Sequence, residues 1–215
     1  MPARASLSLI QKAFIHSQVQ RRSMAERKPP KPVSAESLEA SALFYLERFA
    51  TSSANLRRVL LRRVRRSTEL HGTDAEAGAQ LVDALIQRFL GSGLLDDRTY
   101  AEAKSASLHR RGTSARAIAA KLAGKGVGRS LIGAVLGETD DEAGYAPRPG
   151  GDLAAAAALA RRRRLGPYRD PAAREANRLK DFGAFARAGF SRSVAGRILD
   201  AADPAAVEAL LRGEG

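Results

Sequence analysis

Apolar residues recur at steps of three and four along most of this chain, and no stretch alternates apolar with polar residues as a half-buried strand does. Leu38, Ala42, Tyr45, Leu46 and Phe49 form one series, Leu56, Leu60 and Val64 a second, and Val82, Leu85, Ile86 and Phe89 a third. Three helices are predicted. Thr73-Asp74-Ala75-Glu76 precedes the third with capping-box spacing, in which the Thr hydroxyl and the Glu carboxylate each take an otherwise unpaired backbone N–H. Gly91-Ser92-Gly93 ends that helix, because glycine tolerates the left-handed cap.

Asp96-Asp97 opens the next helix, which runs through Tyr100, Ala103 and Leu108 to Arg110-Arg111-Gly112. Carboxylates at that end accept from free N–H groups and oppose the positive end of the helix dipole. Ser114 caps a helix carrying Ile118 and Leu122, Gly124 and Gly126 end it, and Ser130 to Leu136 forms a short third. After an acidic and then Pro/Gly-rich stretch, the pattern repeats. An Ala-rich helix from Asp152 ends in Arg161 to Leu165, Arg174 to Arg187 carries Leu179, Phe182 and Phe185, and Ser191 to Leu199 follows. Asp203 with Pro204 starts one more short helix.

The last two triplets echo each other. Leu122, Gly126, Val127, Arg129, Ser130, Leu131, Gly133, Val135 and Leu136 return as Phe185, Gly189, Phe190, Arg192, Ser193, Val194, Gly196, Ile198 and Leu199, every pair 63 residues apart. A weaker echo at 62 residues relates Thr51-Ser52, Leu56 and Leu60 to Thr113-Ser114, Ile118 and Leu122. The expected fold is all-α: three tandem three-helix, helix-turn-helix-like repeats in an elongated, curved array. Its divisions are a basic leader with little fixed structure over 1–33, repeats over 34–95, 96–137 and 152–200, a linker over 138–151, and a tail with a short helix over 201–215.

Composition narrows the chemistry. The absence of Cys excludes disulfides, Cys-ligated zinc and a thiol nucleophile, and fits a reducing, cytoplasmic setting. No apolar run approaches the roughly 20 residues that span a bilayer. His16, His71 and His109 are isolated, and Gly124-x-Gly126-x-Gly128 lacks the strand a dinucleotide loop needs. Asp96-Asp97 has no third ligand at suitable spacing, so capping is its role. No enzyme, metal, cofactor or small-molecule substrate is indicated.

The net charge of +13 instead points to a polyanion or an acidic protein face. Of 36 basic residues 29 are Arg, whose guanidinium pairs bidentately with phosphate or carboxylate. On a helical wheel Arg58, Arg62, Arg65 and Arg66 form a ridge opposite Leu56, Leu60, Leu61 and Val64. A solvated helix face is the plainer explanation of that ridge. Arg110-Arg111 and Arg161-Arg162-Arg163-Arg164 both close the first helix of a unit, where cations oppose the dipole. Four consecutive arginines exceed that need, which favours DNA phosphate or an acidic partner.

Several segments also carry a family resemblance. Gly93-Leu94-Leu95-Asp96-Asp97-Arg98-Thr99-Tyr100-Ala101, Arg111-Gly112-Thr113-Ser114, Leu122-Ala123-Gly124-Lys125-Gly126-Val127 and Ala188-Gly189-Phe190-Ser191 with Ile198-Leu199 together resemble the RecX family, regulators of the RecA recombinase. The likeness covers roughly residues 37–200. It implies a non-enzymatic protein that binds the RecA filament on single-stranded DNA, limits its growth, and tempers recombination, DNA repair and the SOS response; a monomer is expected. Unit one departs from the second: Arg62-Arg63-Val64-Arg65-Arg66 stands where unit two has Gly124-Lys125-Gly126, and Arg65–Gln80 reads as an enlarged loop. The competing expectation is a helix-turn-helix protein that binds DNA directly, without RecA.

Overall fold

A computed structural model describes residues 31–137 and 151–213, so the expectations for the leader up to residue 30 and the linker over 138–150 lie outside it. The described chain is all-helical, with ten α-helices, two short 3-10 helices and no strand. Unit one holds α1 (Ala35–Leu46), α2 (Ser53–His71) and α3 (Ala75–Gly91); unit two holds α4 (Asp97–Arg110), α5 (Ala115–Gly124) and α6 (Arg129–Leu136). Unit three holds α7 (Gly151–Arg163), α8 (Arg174–Arg187) and α9 (Arg192–Leu199), with α10 (Pro204–Arg212) after it.

Each triplet closes over its own apolar cluster. Leu38, Leu56, Leu60, Val82 and Phe89 meet in unit one, Ile118, Leu122, Val127 and Ile132 in unit two, and Leu159, Phe185, Phe190 and Ile198 in unit three. The residues of the 63-residue echo are thus mainly core and turn positions: Leu122 and Phe185 are fully buried, and Gly126 and Gly189 both sit at positive φ, +80° and +87°. Val207 of α10 is buried in the third cluster, so the terminal helix covers the end of the array.

Neighbouring units are joined twice by the same chemistry. Ser52, the N-cap of α2, accepts from Asn55 N–H and donates its hydroxyl to the Lys125 carbonyl at the end of α5. Ser114, the N-cap of α5, accepts from Ala117 N–H and donates at 2.8 Å to the Ala188 carbonyl at the end of α8. Both serines are fully buried, and their two partner carbonyls stand 63 residues apart in the echo. A carboxylate completes each joint from the other side: Asp97 of α4 accepts from Ser53 N–H at 2.7 Å, and Asp152 of α7 accepts from Ala115 N–H at 2.8 Å. Units two and three therefore each cap a helix of the unit before.

Several sequence expectations need correction. Residues 65–80 are no enlarged loop, because α2 continues to His71 and only three residues separate it from α3. Val64 and Ser67 remain on the buried face of α2, which keeps the helix going through its arginines. The α3 cap is Asp74, whose carboxylate accepts from Glu76 and Ala77 N–H, while Thr73 donates its hydroxyl to Ser67 instead. Val33, assigned to the leader, donates its N–H to the Ser67 hydroxyl and packs on the unit-one core. Phe49 lies beyond α1 and is 54% exposed; Leu179 is 87% exposed, because Asp181, Ala184 and Phe185 take the inward face of α8.

Candidate nucleic-acid and protein interface

The two groups of arginines singled out by the sequence are held very differently. Arg58, Arg62, Arg65 and Arg66 all lie exposed along α2, on the face away from Leu56, Leu60 and Val64. Arg58 donates to the Gly124 carbonyl at 3.2 Å and so ties α2 to the end of α5. Arg62, Arg65 and Arg66 have no carboxylate partner among the described residues. Their neighbour Arg57 does have one: its ion pair with Asp83 of α3 raises the Arg57 pKa and, by the hydrogen bond, holds the Asp83 carboxyl below its usual range.

Arg110, Arg111 and Arg161–Arg164, by contrast, are brought to one place, the adjoining C-terminal ends of α4 and α7, although some fifty residues separate them in sequence. The close contact of α7 with the turn after α4 explains this. Gly112 sits there at φ +75°, and a Cβ on it would lie 2.6 Å from the Leu159 backbone nitrogen and 2.9 Å from the Ala155 carbonyl oxygen. Ala155, Ala156 and Ala160 are fully buried, and it is their small size that lets the helix come so near. Arg162 then donates to the Arg111 carbonyl, joining the C-terminal ends of α4 and α7. All six arginines are exposed, and none has a carboxylate partner among the described residues.

Arg164 is strained within this cluster. Leu165 N–H reaches back to the Ala160 carbonyl as Thr113 N–H does to that of Leu108, so Arg164 takes the place that Gly112 holds in unit two. Its φ is +52°, the one positive value outside glycine among the described residues. A side chain in that region costs about 1 kcal/mol relative to glycine. Six like charges gathered at two helix ends, one of them on a strained residue, form a surface suited to an anion with several phosphates or carboxylates.

Four aspartates are spent on structure. Asp96 accepts from Arg98 and Thr99 N–H and from the Thr99 hydroxyl, which hold its pKa low, the hydroxyl most of all. Asp97, expected to cap its own helix, caps α2 of the preceding unit, taking the Ser53 hydroxyl as well as its N–H. Asp152 is buried, which pushes its carboxyl pKa up against the pull of Ala115 N–H and His109. Asp181, 1% exposed, accepts from Gly166 N–H and pairs with Arg169 through both oxygens, fixing the turn between α7 and α8. Sequence reasoning missed these last two roles, since a carboxylate that serves a distant backbone leaves no spacing to read. No metal-holding group of His, Asp or Glu occurs among the described residues, and no helix there is long and apolar enough to cross a membrane.

Residues 96–136, which are α4 to α6, match the family model described as RecX, second three-helix domain. The chain is 41% identical over 174 residues to "Regulatory protein RecX" of Myxococcus xanthus, a match spanning 80% of this chain and 89% of that protein. It is 35% identical over 163 residues to "Regulatory protein RecX" of Agrobacterium fabrum, spanning 74% of this chain and 79% of that one. No solved structure matches it.

Proposed function

Because the chain belongs to the RecX family of regulatory proteins, we propose that it binds RecA filaments on single-stranded DNA and inhibits RecA. ATP hydrolysis, strand exchange and filament extension are the activities it limits, and through them recombination, DNA repair and the SOS response. It acts in the cytoplasm as a monomer, without catalysis or cofactor of its own.

The observation that carries this reading is the arginine cluster at the joined ends of α4 and α7. A filament of protein on DNA presents a line of phosphates, and exposed guanidinium groups carried on two adjoining helix ends can pair with several of them at once. The ridge of Arg58, Arg62, Arg65 and Arg66 adds a second cationic stretch on unit one.

Single-stranded-DNA-dependent ATP hydrolysis by the cognate RecA, measured with and without this protein, tests the proposal. Inhibition at amounts well below RecA is expected. Sequence-selective binding to duplex DNA, with RecA activity unchanged, would instead establish the direct DNA-binding alternative.

A further inference from the structure

Unit one and the start of unit two enclose an open apolar groove of about 590 Å³ between the end of α1 and the first turns of α4. Leu43, Phe49 and Leu94 line it and are 44%, 54% and 50% exposed, which brings three bared apolar side chains together in one place. Two of them are held in place. The Phe49 ring lies 5.1 Å from that of Tyr45, whose hydroxyl accepts from the Asn55 amide, and Phe49 N–H donates to the Tyr45 carbonyl. Leu94 sits on the turn after α3, between Gly93 at φ +74° and Leu95, whose N–H donates to the Phe89 carbonyl.

A contrast within unit one separates this groove from ordinary exposed surface. Phe44 is just as exposed, but the Arg48 guanidinium covers its ring at 4.0 Å; no cation covers Phe49 among the described residues. The groove's charged lining is acidic, in a chain whose net charge is +13: Glu47 and Asp96. Glu47 has no basic partner among the described residues and stands at the C-terminal end of α1, where the helix dipole disfavours a carboxylate. Neither DNA nor the acidic surface that would suit the arginine cluster complements this lining.

We propose that the groove is a protein-docking site, taking from its partner a large apolar side chain flanked by lysine or arginine. On the function proposed above, on which this inference rests, the partner is the protein of the RecA filament. The arginine cluster then meets phosphate while Phe49, Leu94 and Glu47 meet polypeptide. A few centrally placed, well-packed side chains, aromatic ones above all, carry most of the energy of an interface.

The test titrates wild-type protein, the double variant Phe49→Ala/Leu94→Ala and the variant Glu47→Lys into the cognate RecA ATPase, and separately into fluorescent oligo(dT). Helical content by circular dichroism checks the fold, which these half-exposed side chains do not hold together. Inhibition by the double variant is expected to need about ten-fold more protein, and Glu47→Lys a smaller excess, with oligo(dT) affinity unchanged in both. Full inhibition by the folded double variant overturns the groove assignment alone. Parallel loss of oligo(dT) binding overturns it too, since the groove would then be a nucleic-acid contact. A wild-type protein without effect on RecA removes the proposed function and this inference with it.

Discussion

At the joint between units one and two, Asp97 is half-buried and holds both the N–H and the hydroxyl of Ser53, whereas at the joint between units two and three Asp152 is 4% exposed and holds Ala115 N–H. The same contrast runs through the backbone. A Cβ on Gly126, at the first joint, would meet the Ala54 methyl, but one on Gly112 at the second would meet the main chain of α7 itself. One joint is polar and partly wet, the other dry and made by backbone approaching backbone. The arginines gather where they do because the second joint brings two helix ends close enough for Arg162 to reach the Arg111 carbonyl.

Replacing Gly112 should have the largest effect. Gly112→Ala combines a disfavoured φ with a main-chain clash, and is expected to cost about 3–5 kcal/mol in urea unfolding. Gly93→Ala is the control, because Gly93 has a similar φ of +74° but open space around it; about 1 kcal/mol is expected there. Equal costs would mean that backbone proximity is not what defines the second joint.

The buried serines come next. Ser114→Ala removes both a helix cap and the partner of the Ala188 carbonyl, for an expected loss of about 2 kcal/mol by thermal or urea denaturation. Ser52→Ala should match it, since the two joints share that element, and a large inequality would break the correspondence between them.

The carboxylates should then differ in sign. Burial raises the Asp152 pKa, so the folded chain takes up that proton before the unfolded one as pH falls. Its contribution is complete below the ordinary Asp value and is lost as pH rises through the raised one. Asp96 runs oppositely: its pKa is lowered, and its contribution is lost as pH falls through the folded value. Asp152→Asn, which keeps an acceptor for Ala115 N–H and removes the buried charge, should therefore raise stability slightly at neutral pH and flatten the acid side of the stability profile. Asp97→Asn should cost about 1 kcal/mol, because its second oxygen also holds the Ser53 hydroxyl. Reversal of that order would contradict the division into wet and dry joints.

A gain is expected from one substitution in the cluster itself. Arg164→Gly relieves the positive φ and should stabilise the chain by about 1 kcal/mol in melting experiments while removing one cation from the cluster. A destabilised variant would show that Arg164 is held by more than its backbone.

Much of the fold was legible because its signals are local. Ser114, Ser191 and Asp203 cap the helices whose starts they predict, and α8 spans Arg174–Arg187 as periodicity indicated. Errors arose where two local signals competed: Thr73 and Asp74 are both capping residues, and the buried Ser67 had already claimed the threonine. Phe49 and Leu179 satisfied the spacing rule, yet one falls beyond its helix and the other faces solvent. The joints were not legible. Asp97 and Asp152 serve backbone in another unit, and the 55 residues between them differ from the 63 of the echo, so their shared role leaves no repeat to find. The arginines were recognisable one segment at a time, but their assembly into a single cluster depends on Gly112 and the small alanines of α7.

Replacing Arg161–Arg164 together by Gln tests the role of that cluster most directly. The four side chains are exposed, so the variant should remain folded by circular dichroism while the concentration needed to inhibit the cognate RecA ATPase rises about ten-fold or more, with a shallower dependence on salt. Inhibition at the wild-type concentration, with the wild-type salt dependence, by a variant shown to be folded would contradict the assignment.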